Sequence, residues 1–473
     1  MFLLYIYIFF SLVISRLTLK ANIFNIASIS LICYWAAYPL EKLKIQDYTT
    51  ISGIREVGVY MYAIFGFSFL LGAFIISKIK IKRINFYPRI NSRNNLFFIS
   101  LVLAFLGLFC FTYTYNFSIS NYIYLTLGGI PRGERMALIS QAKNALPYSI
   151  FFIPSITTLL IAIKKFGISK TSPYKFLTIV IIFLNTPILL SYLAEGDRSS
   201  LIKFLAVLFF TLCLSQNSIE KINKRSFLIE KLQINKTILL NRIKIFFILF
   251  SFCIIFMFVG YARSNGWSRT PYVFRNISNS IKDNRLPTGE FRGVNFTIDF
   301  ALARNHLSIK KTDKMFTWDR LIFYPLPTYL YKAIFNSKKP LNMGDAIGLE
   351  TKNYIFGNEM KKKYGFGLSP IAEGLINFGI IGVFINGFIY GSAISLLQYF
   401  YNKISLDSIN LLDIIIINTL TIIPLIMRAG NAGIYNWIFS TSFVLLLPLL
   451  VIEFFHKINH LNFFTKQNDE INK

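Results

Sequence analysis

The segment ILLSYLAEGDRSSLIKFLAVLFF, residues 188–210, sets Glu195, Asp197 and Arg198 on a corner between two long apolar runs. The polar interval is too short to be a separate loop structure, and the flanking runs are too apolar to face water. Each run approaches the roughly 20 apolar residues that a helix needs to cross the hydrocarbon of a bilayer. The corner therefore reads as a tight turn between two membrane spans, with its charges held at the level of the headgroups.

Working outward, the same alternation fills the chain. Of its 473 residues 54% are hydrophobic and only 15% charged, against about 25% charged in an ordinary soluble domain. Hydropathy and length give about eleven spans, near 1–15, 22–40, 57–76, 94–115, 146–163, 174–194, 199–215, 244–262, 370–399, 410–427 and 436–455. The expected fold is an all-α polytopic membrane protein. Eight spans occupy 1–262, a large external loop subdomain 263–369, three more spans 370–455 and a tail 456–473.

The first run has no basic residue ahead of it and Arg16 and Lys20 after it, the reverse of a signal peptide, so it is read as a span. Cys33, Cys110, Cys213 and Cys253 all fall inside apolar runs and read as small core residues. The formal net charge of +28 does not point to nucleic acid, because basic residues gathered in short loops are what membrane topology requires. The loops 77–93, 164–172 and 216–243 are basic, and with eleven spans they fall on one side, which is then cytoplasmic together with the tail. The N-terminus and the segments 41–56, 116–145, 195–198 and 263–369 face outward. No repeat of 20–50 residues is visible, and the inverted halves frequent in transporters are not expected. Within 263–369, the aromatic stretch DRLIFYPLPTYLYKAIF (319–335) suits a short helix resting on the membrane face.

Outward-facing arginines recur at span ends. GGIPRGERMALISQ (128–141) carries Arg132 and Arg135, the corner carries Arg198, GYARSNGWSR (260–269) carries Arg263, and LIMRAGNAGIY (425–435) carries Arg428. Singly, each reads as a charge snorkelling to the interface or closing a helix. As a group they run against the scarcity of arginine in short outer loops. Guanidinium binds phosphate oxygens in bidentate fashion and keeps its charge, so these five suit a diphosphate whose lipid tail stays in the bilayer.

A second region, KKKYGFGLSPIAEGLINFGIIGVFINGFIYG (361–391), begins a span with Ser369 as N-cap and Pro370 in the first turn. Glu373 follows in that turn, where the helix dipole favours its charge. A carboxylate entering a span is rare and reads as functional. Gly387 and Gly391 have the spacing of close helix packing, the simpler reading of the glycines. Neither HExxH nor DxD occurs on the outer face, and GYARSNG and GVNFTID are too loose for phosphate loops. No metal site and no cofactor is expected.

EGDRSSLI, GGIPRGER and above all YGFGLSPIAEGLINFGIIGVFINGF resemble the O-antigen and oligosaccharide repeat-unit polymerases, the Wzy family. The likeness covers topology over the whole chain and motifs over about a quarter of it. It implies a multi-pass protein of the bacterial inner membrane, with its active face and the 263–369 subdomain periplasmic. The implied reaction is inverting glycosyl transfer, in which a growing glycan leaves undecaprenyl diphosphate for a new lipid-linked repeat unit. Donor and acceptor are then the partners, with membrane lipids, a chain-length regulator and a flippase beside them. On this reading Arg132, Arg135, Arg198, Arg263 and Arg428 hold the diphosphate, an electrostatic role of the oxyanion-hole kind. Candidates for the base are Glu373, Asp197 and His306, in that order. Asp197 reads equally well as an ion-pair partner of Arg198, and His306 as a structural loop residue. Three alternatives stay open: an O-antigen ligase, which the sequence separates poorly, a lipid-linked oligosaccharide flippase or other transporter, and a non-catalytic scaffold. A transporter would need charge along the middle of its spans.

Overall fold

The computed structural model describes residues 2–15, 23–40, 54–79, 92–127, 148–167, 173–195, 198–223, 289–306, 328–336, 368–428, 430–431, 433–446 and 448–450. These are helical, with no strand among them. In chain order they form α1 (Phe2–Ile14), α2 (Ile23–Ala37), α3 (Ile54–Lys78), α4 (Arg93–Thr114), α5 (Ile119–Leu127), α6 (Ser149–Phe166) and α7 (Pro173–Glu195). Then follow α8 (Arg198–Asn223), α9 (Gly289–His306), α10 (Thr328–Phe335), α11 (Pro370–Asn402), α12 (Leu411–Leu420) and α13 (Gly433–Leu450). Glu195 closes α7 and Arg198 opens α8, so the charged corner does join two apolar helices.

Seven of the described helices are long and apolar enough to cross a membrane, with α12 continuing through a 3-10 turn to Arg428. Shorter apolar helices occupy Phe2–Ile14, Ile23–Ala37, Ser199–Leu214 and Val294–Ala303. At 1.5 Å per residue, the shortest of the seven measures about 27 Å, close to the roughly 30 Å hydrocarbon thickness. Bulky apolar side chains point outward from them, with Phe105 62%, Phe176 72%, Phe183 74% and Ile381 69% exposed. Such surfaces need lipid cover. The protein is a helical, multi-pass membrane protein. The expected span 244–262 lies outside the described residues, as do most of the external segment and the tail.

The described residues fall into two compact units, one drawn from 1–84, 271–403 and 420–437, the other from 85–270, 404–419 and 438–473. In the second unit, α4 packs on α6 and α7. Between bilayer-spanning helices apolar contact gives little driving force, and small polar side chains supply the specificity. Ser100 of α4 donates to the Ser155 carbonyl of α6 at 2.8 Å, and Ser155 donates back to the Ser100 carbonyl at 2.9 Å. Asn185 of α7 joins them through a 3.2 Å bond to Ser155 Oγ. Asp413, near the start of α12, is explained locally. It exchanges bonds with Asn410, whose Oδ1 accepts from the Asp413 N–H (2.9 Å) while Asp413 Oδ2 accepts from the Asn410 N–H (3.1 Å). This is a reciprocal helix cap.

In the first unit, α3 and α11 form the main seam, with α1, α2 and α9 around them. Here the glycines act as the sequence suggests. A Cβ on Gly387 would stand 2.5 Å from the Phe65 carbonyl oxygen and one on Gly391 1.9 Å from that of Phe69. From the other side, a Cβ on Gly72 would come within 2.2 Å of the Phe388 oxygen. Only bare backbone lets two helices approach so closely.

One feature departs from the sequence reading. Every residue from Val294 to Ala303 is buried, and α9 packs against α2, α3 and α11. Its polar residues carry their own partners. Tyr62 donates to Asn295 Oδ1 at 2.7 Å, Tyr38 donates to Asp299 Oδ1, and the Ser369 N–H donates to Thr297 Oγ1 at 3.3 Å. This stretch of the external segment is thus an interior helix. By contrast α10, in the aromatic stretch, exposes Ile334 and Phe335, and the tilted rings of Tyr331 and Phe335 lie 4.6 Å apart. Of the described cysteines, Cys110 and Cys213 are buried and Cys33 is exposed.

Candidate functional site

The site begins where the span expected at 370–399 proves to be two pieces. Ser369 caps α11, its Oγ accepting from the Ile371 N–H at 3.2 Å, and Pro370 occupies the first turn. Eight residues on, the helical path breaks. Phe378 has φ −136°, ψ 17°, and Gly379 has φ 63°, ψ −142°. The second pair lies in a region that only glycine enters without strain.

Beyond the break the two arms fold back on each other. In a straight helix Gly374 and Gly382 would be about 12 Å apart. Instead, a Cβ on Gly382 would stand 2.1 Å from the Gly374 carbonyl oxygen. Farther from the turn, Asn386 donates its side-chain N–H to the Pro370 carbonyl at 2.8 Å. The result is a helical hairpin with a short arm, 370–377, and a long arm, 380–402. The long arm measures about 34 Å and can cross a bilayer, whereas the short arm measures about 12 Å and cannot.

Glu373 sits in the first turn of the short arm and is fully buried (0% exposed). Its Oε2 accepts the backbone N–H of Asn431 at 2.6 Å. Gly430 makes that approach feasible, since its φ is +59° and a Cβ there would lie 3.0 Å from Glu373 Oε2. The N-terminal dipole of the short arm and the Asn431 N–H both favour negative charge at this point. The side chain of Asn431, half-buried, donates to Asn386 Oδ1 at 3.3 Å. Tyr390, one turn beyond Asn386, is also buried, and among the described residues its hydroxyl has no hydrogen-bond partner. Arg428, half-buried at the end of the preceding span, stands three residues before Asn431.

Of the predicted site residues, the structure thus places Glu373 and Arg428 in one unit, with Glu373 bound to the segment that follows Arg428. Arg198 opens α8 in the other unit and His306 closes α9, and only their backbones are described. Arg132, Arg135, Asp197 and Arg263 lie outside the described residues. Asn386, Asn431 and Tyr390 were not anticipated. Carboxamides inside apolar runs were the available signal, since each needs a buried partner.

Chemically, the arrangement presents a carboxylate withdrawn from solvent, held at one oxygen by a backbone donor and bordered by two amides. Such a group can hold or accept a proton where water is scarce. Compared with protein-family models, curated proteins and solved structures, the chain matches none.

Proposed function

We propose that the protein polymerises lipid-diphosphate-linked oligosaccharide repeat units into O-antigen or a related surface polysaccharide, on the periplasmic face of a bacterial inner membrane. Glu373 takes the proton from an acceptor-sugar hydroxyl. That oxygen attacks the anomeric carbon of the donor glycan from the face opposite its phosphate. The carbon–oxygen bond to undecaprenyl diphosphate breaks, a new glycosidic bond forms with inversion, and the diphosphate leaves with the bond's electron pair. Arg428, with Arg132, Arg135, Arg198 and Arg263, balances the charge on the departing diphosphate. Asp197 and His306 are the alternative bases.

The observation that carries this reading is the fully buried Glu373 on a half-helix, fixed by the N–H of Asn431, three residues along the chain from Arg428. The motif resemblance supplies the substrate class. The eleven-span topology, the external subdomain and the chain-length and flippase partners belong to the same proposal.

Deleting the gene and separating the surface glycan on a gel tests it. A single repeat unit left on the acceptor core supports the polymerase, while complete loss of attached glycan points to a ligase or a flippase. Glu373→Gln, which keeps shape and hydrogen bonding, is expected to lower polymer formation about 10²–10⁴-fold, the usual contribution of a general base. A full ladder from this variant refutes the role of Glu373. One observation favours the transporter reading: a discontinuous helix among the spans is a common transporter device. The same gel separates the two.

A further inference from the structure

We infer that Asn431 is a specificity-determining residue that reads a second hydroxyl of the acceptor sugar, next to the hydroxyl activated by Glu373. The inference rests on the polymerase reading and adds a recognition element to it. The orientation of two side-chain amides follows from donor and acceptor chemistry alone. The Pro370 carbonyl can only accept, so Asn386 must face it with its NH₂ group (2.8 Å). Asn386 therefore turns its oxygen toward Asn431, and Asn431 must answer with its own NH₂ group (3.3 Å). Asn431 is left presenting Oδ1, which accepts from no donor among the described residues. The same residue's backbone N–H grips Glu373 Oε2 at 2.6 Å. One residue thus fixes the carboxylate with its main chain and displays a hydrogen-bond acceptor with its side chain.

That acceptor belongs to a half-buried residue, whereas Glu373 is fully buried. Groups that donate to a carboxylate and an amide oxygen side by side are adjacent hydroxyls, the most abundant feature of a sugar ring. Asn386, buried at 2% exposure, is the positioning residue that keeps the amide of Asn431 from turning over.

The test uses the full-length protein in lipid nanodiscs, with lipid-linked repeat units from cells lacking the gene as substrate. The competitor is the repeat-unit oligosaccharide released from its lipid by mild acid. Asn431→Ala is expected to raise the inhibition constant of this oligosaccharide three- to tenfold, about the worth of one neutral hydrogen bond, and to affect KM more than kcat. Glu373→Gln is expected to do the reverse. Asn431→Ser, too short to reach but still polar, serves should the alanine variant fail to fold. If the wild type polymerises, Glu373→Gln is inactive and both Asn431 variants keep the wild-type inhibition constant, the inference is overturned while the polymerase reading stands. If the wild type makes no polymer and the oligosaccharide does not compete, the polymerase reading fails and takes the inference with it.

Discussion

Substituting Gly382 by alanine probes the hairpin at its tightest point. The added Cβ would lie 2.1 Å from the Gly374 carbonyl oxygen and 3.1 Å from the Phe378 Cβ. Ordinary contact begins near 3.4 Å, so the arms must part by about 1.3 Å. The clash is with backbone, and no rotamer relieves it. Overpacking of this kind costs about 1–3 kcal/mol, and loosening the Asn386 bond to Pro370 adds about 1 kcal/mol. Glu373 rides on the displaced arm, one residue before Gly374. A shift near 1 Å at a reacting group lowers rate by roughly 10²-fold. The expected result is a lower melting temperature in detergent together with polymer loss approaching that of Glu373→Gln. Gly379→Ala separates the causes, because a Cβ there meets nothing within 4 Å and only the +63° φ opposes it. It should destabilise by about 1–3 kcal/mol through the backbone alone. A Gly382→Ala protein with wild-type melting and a full ladder would refute the folded-back geometry.

Further outcomes follow from other contacts. Gly391→Leu should separate α11 from α3, since even a Cβ would fall 1.9 Å from the Phe69 oxygen; loss of folded protein in a size-exclusion profile checks this. Ser100→Ala and Ser155→Ala each remove one hydroxyl-to-carbonyl bond of the exchange, and each should cost about 0.5–1.5 kcal/mol by thermal melting, with the double variant near the sum of the two. Tyr38→Phe removes the hydroxyl that meets Asp299, while Gly58→Ala would place a Cβ 1.9 Å from that hydroxyl. Each should cost about 1–3 kcal/mol, and the double variant should cost no more than the worse single one, measured by thermal melting.

The apolar helices were legible because length and hydropathy are what a bilayer selects: ten of the expected eleven segments coincide with described helices, seven of them long and apolar enough to cross. The hairpin was not. PIAEGLIN and the apolar arm after it share one composition, so they read as a single long span. Its signals were an expected span of 370–399, well beyond the roughly 20 residues a membrane needs, and glycines at 374 and 382 placed evenly about Phe378. Nor was α9 legible. Asn295, Thr297 and Asp299 alternate with apolar residues like a half-exposed segment, and only partners distant in sequence make their burial tolerable. Glu373 stood out because a carboxylate leading an apolar run demands a reason, whereas asparagines such as 386 and 431 blend into theirs.

The position of α9 constrains the order of assembly. Its neighbours α2 and α3 leave the ribosome long before it, but α11, which supplies the Ser369 contact, emerges more than sixty residues later. A ten-residue apolar stretch holding an aspartate offers the insertion machinery a weak signal of its own. Helix α9 must therefore wait, half-accommodated, until the hairpin arrives to close over it. A chain truncated before Pro370 should display this helix to proteases that never reach it in the finished protein.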